Sequence, residues 1–374
     1  MVSRRTWLLG SATAAGALVV GWCIAPPRQR LLTAQPRPDR PGQRALNGWV
    51  SIGADGSVTV VMAKSEMGQG VHTGLAMLLA EELDADWAQV RVEASPIDTI
   101  YNNLATVVDG LPFHPDEDGA VKRLAGWLTA KAMREFGVMM TGGSSSLKDL
   151  WLPMREAGAS ARAMLVAAAA QQWAVPAAEC SVLAGRVTHG SGRSAGFGEL
   201  AALAATQPRP TKPALKTPAQ FKLIGQPRPR LETAAKLNGS ARFGIDVQPA
   251  GLLHASLLMC PTLGGTLLRF DASKAETLPG VKKVFAVASY NGSPAGVAVI
   301  ADNTYRAKQA LAHISVEWDH GANAAMDSDQ LMGQLAQTLD REDGFAYFKR
   351  GDVGAALAGA SRTLSAEYRA LTFS

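Results

Sequence analysis

Six prolines (Pro208, Pro210, Pro213, Pro218, Pro227 and Pro229) fall between residues 206 and 230. Proline fixes φ and has no backbone N–H, so neither a regular helix nor a central strand runs through such a stretch. It reads as a linker or an extended surface crossing, at 206–235, between two parts written in different styles. With 374 residues, 47% of them hydrophobic, the chain can bury cores for two or three domains.

Before the prolines the pattern mixes strands and helices. Trp49 to Met62 reads as two short strands around the turn Ala54-Asp55-Gly56. Thr73 to Leu83 is helical, with Leu75, Leu78, Leu79 and Leu83 at helix spacing, and Val90 to Glu93 is a strand. Residues 100–120 are loop-like and 121–136 an amphipathic helix. A long Ala-rich helix spans Ser144 to Gln172, with Leu150, Met154, Ala157, Ala161 and Leu165 on one stripe, where alanine lets another backbone pack closely. A strand pair (Ser181–His189) and a small helix (Phe197–Ala205) follow. After the prolines come short β-rich segments and a helix from Asn303 to Ala312, read as a separate α/β domain at 236–320.

The net charge of +5 is unevenly placed. Residues 1–47 hold Arg4, Arg5, Arg28, Arg30, Arg37, Arg40 and Arg44 against the single acid Asp39, a net +6, which leaves about −1 for the rest. A nucleic-acid surface on the body is therefore not expected, because phosphate binding needs clustered cations there. Arg4-Arg5 ahead of the weakly hydrophobic run Leu8–Ala25, ended by Pro26-Pro27, resembles a twin-arginine export signal at 1–27, with a polar linker at 28–46. That implies a periplasmic or periplasm-facing protein. An ordinary secretory signal or a membrane anchor is the rival, although the many small residues make a poor anchor. Cys23, Cys180 and Cys260 form no CxxC pair, so an iron–sulfur cluster or structural zinc on this chain alone is not expected.

Two loops carry candidate chemistry. Lys64-Ser65-Glu66-Met67-Gly68-Gln69-Gly70-Val71-His72-Thr73 lies between a strand and a helix. Glycine lets backbone N–H groups turn toward an anion, the helix start favours negative charge, and Gln69 offers an amide donor. The alternative is a tight strand-to-helix turn without a ligand. Thr141-Gly142-Gly143-Ser144-Ser145-Ser146 precedes the long helix and has the make-up of a phosphate nest, or equally of simple serine capping. No lysine follows these glycines in P-loop fashion. His72, His114, His189 and His254 lack metal-ligand spacing. Glu81-Glu82 reads as a solvated helix face and Asp116-Glu117-Asp118 as a solvated loop, while the helix-borne Arg155 and Arg162 could face a phosphate, with solvent as the default.

Together these loops resemble a known family. Met67-Gly68-Gln69-Gly70-Val71-His72-Thr73 is similar to the MGQGxHT segment of the xanthine oxidase family. Thr141–Ser146, followed by Leu150-Trp151 and Met154-Arg155-x-Ala157-Gly158-Ala159, resembles the TGGS-plus-helix segment of the isoquinoline 1-oxidoreductase beta-subunit branch. Ala241–Asp246, Pro279-Gly280-Val281 and Gly296–Asp302 resemble the family's small hammerhead domain. The resemblance runs from about residue 47 to the end. It implies an α+β fold: a molybdopterin-binding segment at 47–205, an aldehyde oxidase/xanthine dehydrogenase-like hammerhead domain at 236–320, and the start of a further cofactor-binding lobe at 321–374.

The function implied is that of a large-subunit part of a molybdenum hydroxylase, oxidising an aldehyde or N-heterocycle with water as the oxygen source. The cofactor implied is molybdopterin cytosine dinucleotide with molybdenum, held by Gly68, Gln69, Gly70, Thr73, Thr141, Gly142, Gly143, Ser144, Ser145 and Ser146. Gln69 would face a molybdenum oxo ligand, with the Gly68 and Gly70 amides at the cofactor. The family's glutamate base has no counterpart up to Ser374, so this stretch alone is expected to be inactive and to be a truncated N-terminal half. A small iron–sulfur subunit, a cytochrome c acceptor and a small-molecule substrate are the implied partners. The rival readings are a non-catalytic cofactor-binding fragment and an exported binding protein without metal.

Overall fold

The computed structural model describes residues 21–22, 25, 28–210, 212–341, 344–346 and 348–370. Most of the proposed export signal, including Arg4-Arg5, thus lies outside the described residues. The chain forms two compact units, residues 1–241 and 242–374.

The first unit is built on a four-stranded sheet: β1 (Gln43–Asn47), β2 (Val50–Gly53), β3 (Val58–Met62) and β4 (Val90–Ala94), in that order. The first three strands pair antiparallel, while β3 and β4 pair parallel. A parallel pair needs a crossover, and helix α1 (Val71–Leu83) supplies it. The crossover fixes where β3 hands over to α1, which is where the Gln69 loop lies.

Three further helices follow: α2 (Leu104–Asp109), α3 (Ala120–Phe136) and the 28-residue α4 (Ser146–Trp173). A three-stranded antiparallel sheet, β5 (Cys180–Leu183), β6 (Arg186–His189) and β7 (Ser194–Gly196), leads into α5 (Phe197–Ala204).

The hydrophobic stripes of the sequence meet in one core. Leu75, Leu79 and Leu83 of α1 are buried with Leu150, Met154, Ala157, Ala161 and Leu165 of α4, the sheet residues Ile52, Val58 and Val60, and Leu200 of α5. Trp49 and Tyr101 stack edge to face in the same core, with centroids 4.9 Å apart.

Three expectations are corrected here. Residues 100–120 are not all loop, since α2 forms within them. Its N-cap Asn103 accepts the Thr106 N–H at 3.2 Å, and the Asp149 carboxylate accepts those of Leu104 and Ala105. Glu81 and Glu82 are not on a solvated face. Both are buried, because the proline-rich segment folds back over α1. Glu81 accepts the N–H groups of Lys222, Leu223 and Ile224 at 2.6–3.1 Å, and its carboxylate also pairs with Lys216 at 2.9 Å. Arg155 and Arg162 do not simply face solvent, as they pair with Glu82 and Asp84 respectively.

The second unit pairs β8 (His254–Met259), β9 (Thr266–Asp271), β10 (Val281–Val287), β11 (Gly296–Ala301) and β12 (Ser315–Asp319) entirely antiparallel, as β10-β11-β8 and β12-β9. Its core is small: Ala272, Ala275, Val284, Val297, Val299 and Ala310. The thiols of Cys180 and Cys260 are both free. Among the described residues no helix is long and apolar enough to cross a membrane.

Candidate functional site

The two loops singled out from the sequence face one cavity. Met67, Gln69, Gly70 and Val71 line one side, and Thr141, Gly142, Gly143, Ser144, Ser146 and Leu147 the other, around about 560 Å³. The loops are also joined directly, with the Ser65 N–H donating to Thr141 Oγ1 at 2.8 Å. A larger cavity of about 690 Å³, lined in part by Leu111, Phe113 and Trp127, contains none of the sequence-assigned residues.

The second wall is shaped by left-handed backbone. Gly143 has φ +61° and Ser144 φ +51°, which turns the chain sharply into α4. Ser145 does not reach the cavity. It is buried, its hydroxyl donates to the Gly142 carbonyl at 2.7 Å, and it accepts from Asn103 Nδ2 at 2.8 Å. Among the described residues no acceptor takes the N–H groups of Gly143, Ser144 or Ser146, nor the hydroxyls of Ser144 and Ser146. These donors gather at the start of a long helix, where the dipole favours an anion. A phosphate-bearing group fits the donor set on this wall.

The first wall behaves differently from the sequence expectation. The N–H groups of Gly68 and Gly70 both donate to Glu66 Oε1, at 2.8 and 2.9 Å, and that of His72 to Glu66 Oε2 at 3.1 Å. The glycines do free their amides to meet an anion, but that anion is the chain's own carboxylate. Gly68 lies outside the cavity lining, whereas Gly70 stays in it. Gln69 is folded onto its own loop, accepting from the Met67 N–H and donating from Nε2 to the Ser65 carbonyl at 2.8 Å, with its second N–H left over. Thr73 is also away from the cavity: it is buried in the first turn of α1, and its hydroxyl accepts the Leu231 N–H at 3.0 Å. Arg230 closes the loop from outside by donating to the Gly68 carbonyl at 2.6 Å.

Sequence reasoning missed Glu66, Arg230, Lys64 and Asp149. For Glu66 a signal existed, a carboxylate two residues before a Gly-x-Gly turn. For Arg230, 162 residues away from Gly68, none did.

Burial alone would raise the Glu66 pKa. The three N–H donors and nearby His72 outweigh it and hold the carboxyl below its usual range. A group with a depressed folded pKa contributes its stabilisation above the unfolded value and loses it as pH falls through the folded one. Amide exchange at Gly68, Gly70 and His72 should therefore stay slow, relative to the intrinsic rate, down to mildly acidic pH and lose protection below it. In Glu66→Gln that acid step should vanish. A step of the same size in Glu66→Gln would assign it to another group.

The family model of the molybdopterin cofactor-binding domain matches residues 10–107, a span that includes the Gln69 loop and stops short of Thr141. The chain is 31% identical over 326 residues to the isoquinoline 1-oxidoreductase beta subunit of Brevundimonas diminuta, covering 78% of this chain and 37% of that protein. This chain belongs to the molybdopterin-binding subunits of the xanthine oxidase family.

Within the family, it is 24% identical over 337 residues to a nicotinate dehydrogenase subunit of Pseudomonas putida, covering 87% of this chain and 25% of that protein. It is also 28% identical over 329 residues to a protein of Gluconacetobacter polyoxogenes named membrane-bound aldehyde dehydrogenase [pyrroloquinoline-quinone], covering 86% of this chain and 38% of that protein. The chain thus spans between a quarter and two fifths of the length of these relatives.

Proposed function

We propose that this chain supplies two walls of the cofactor site of a molybdenum hydroxylase that oxidises an aldehyde or an N-heterocycle. The observation that carries the reading is the single cavity shared by Gln69 and Ser144, loops 75 residues apart in sequence. When bound, the cofactor supplies the two-electron redox chemistry at a carbon centre, with water as the oxygen source.

The chain's own residues hold and orient it. The Gly143, Ser144 and Ser146 N–H groups and the Ser144 and Ser146 hydroxyls take the diphosphate of a molybdopterin cytosine dinucleotide. Gln69, pinned by Ser65 and Met67, offers its remaining N–H toward the pterin or a metal oxygen. Glu66 keeps the Gly68 and Gly70 amides out of this contact and sets the loop's shape instead.

The names of the relatives include an aldehyde dehydrogenase and two N-heterocycle enzymes, which supports the substrate classes. With three cysteines and no CxxC pair, the chain leaves electron transfer to a small iron–sulfur subunit and a cytochrome c acceptor. Arg4-Arg5 before the apolar run supports twin-arginine export, and with it a periplasmic or periplasm-facing location.

Metal and cofactor analysis of the protein purified from its own producer tests the reading. Near-stoichiometric molybdenum and a cytosine nucleotide released on acid hydrolysis are expected. A metal-free protein would favour a binding protein, and an extracted quinone would favour the cofactor named in the Gluconacetobacter relative. Gly143→Val places a β-branched residue at positive φ, a strain of about 1–3 kcal/mol. It should lower cofactor occupancy by about five- to a hundredfold in binding terms, measured as molybdenum per chain.

A further inference from the structure

Beneath the cavity lies a buried charge cluster. Lys64 sits between β3 and the Gln69 loop with its side chain wholly buried, and its ammonium is 3.3 Å from Asp149 Oδ2. The same ammonium donates to the Met140 carbonyl at 3.2 Å. Met140 immediately precedes the Thr141–Ser146 loop, and Asp149 stands three residues after it in the first turn of α4. One cation at the root of the first wall thus grips both ends of the second.

Asp149 is fully engaged. Its Oδ1 accepts from Leu104 N at 2.9 Å, Ala105 N at 3.3 Å and Arg30 NH1 at 3.1 Å, and its Oδ2 accepts from Arg30 NH2 at 3.2 Å. The Asp149 carbonyl has lost its helical donor, because the residue four positions on is Pro153. Arg30 NH1 donates to it instead, at 3.3 Å. Arg30 is held in turn by the carbonyls of Ile100 and Asn102, each at 2.7 Å.

Three charges buried together are a poor way to gain stability, since apolar residues of the same volume often do as well or better. What such a cluster does provide is a single geometry, as every donor and acceptor in it has one place to go. We infer that Lys64 is a positioning residue that sets the register of the two cavity walls, so that ordering one wall orders the other. What fills the cavity rests on the reading above, whereas the coupling between the walls does not.

Hydrogen exchange of the full chain at neutral pH tests this, comparing wild type with Lys64→Met and Asp149→Asn. The first keeps an unbranched stem of similar length, and the second keeps the size and one acceptor oxygen while losing the charge. In both, the hydrogen-bonded amides of the two walls, those of Ser145 on one and of Ser65, Met67, Gly68 and Gly70 on the other, should exchange about tenfold faster or more, the expected effect of removing a charge-assisted hydrogen bond from a local opening equilibrium. The interiors of α1 (75–83) and α4 (157–169) should keep their protection. A loss spread evenly over these helices in both variants, complete unfolding included, overturns the assignment, as does unchanged exchange at Ser145. Molybdenum content does not enter this readout. A metal-free protein would therefore sink the pterin reading and leave the coupling standing, and the reverse outcome is equally distinguishable.

Discussion

Glu82→Ala should cost about 3–5 kcal/mol of stability, the usual result of leaving one member of a buried ion pair without its partner. The Glu82 side chain is 0% exposed. It accepts from Arg155 Nε at 2.9 Å and lies 2.7 Å from Arg155 NH2. It also accepts the Lys216 N–H at 3.0 Å. Truncation leaves the buried Arg155 guanidinium with the Lys216 carbonyl and the rings of Trp151 and Phe221, none of which carries a full negative charge. The Lys216 N–H loses its acceptor at the same time, which loosens the strap formed by the proline-rich segment. Glu82→Gln keeps an acceptor for Lys216 and should fall between wild type and Glu82→Ala. Urea unfolding gives the comparison: a lower midpoint at unchanged slope is expected. A Glu82→Ala midpoint close to wild type would mean that the strap holds without this pair.

That pair shows where the sequence stops being readable. Local patterns are strong enough to place the helices: the leucines of α1 and the alternating large and small residues of α4 lie where their spacing puts them. Glycine and proline mark the turns and the strap for backbone reasons that need no partner. A charged residue has no such local signature. Glu81-Glu82 on a helix looks the same whether it faces water or a returning segment, and the partner here is Lys216, more than 130 residues on. Arg30 reads as part of a linker in the sequence, yet it is buried against Asp149, 119 residues away.

The candidate site divides in the same way. That two glycine-bearing loops would share a cavity is legible through their resemblance to a family. Which of their atoms face it is not, because Glu66, two and four residues away along the chain, takes the Gly68 and Gly70 amides for itself. Seven of the ten residues assigned from sequence line the cavity, while Gly68, Thr73 and Ser145 are turned to intramolecular partners.

Gly158→Val should be the most damaging small change in α4, lowering stability by about 3 kcal/mol or more, at the upper end of overpacking costs. Replacing glycine by alanine inside a helix ordinarily gains about 1 kcal/mol, because the unfolded chain loses freedom and the helix keeps it. At Gly158 the opposite sign is expected. A Cβ there would collide with the Leu79 carbonyl oxygen and sit 3.1 Å from Glu82 Cβ, and the first of these is backbone that cannot rotate away. Gly158→Ala should therefore lose stability despite its better propensity, and valine should lose more. Gly74, in the same pair of helices, provides the control. Its added Cβ would meet only Leu147 Cδ2, at an ordinary 3.7 Å, so Gly74→Ala should be neutral or mildly stabilising. The consequence reaches the cavity, because α1 and α4 each begin at one of its walls. Forcing the helices apart at Leu79 and Gly158 separates those walls, and the valine variant should lose bound molybdenum under conditions where it is still folded. Urea midpoints for the three variants, with metal content measured well below each midpoint, decide between this and simple unfolding. Equal effects at Gly74 and Gly158 would show that propensity, not the close approach of the two backbones, governs this contact.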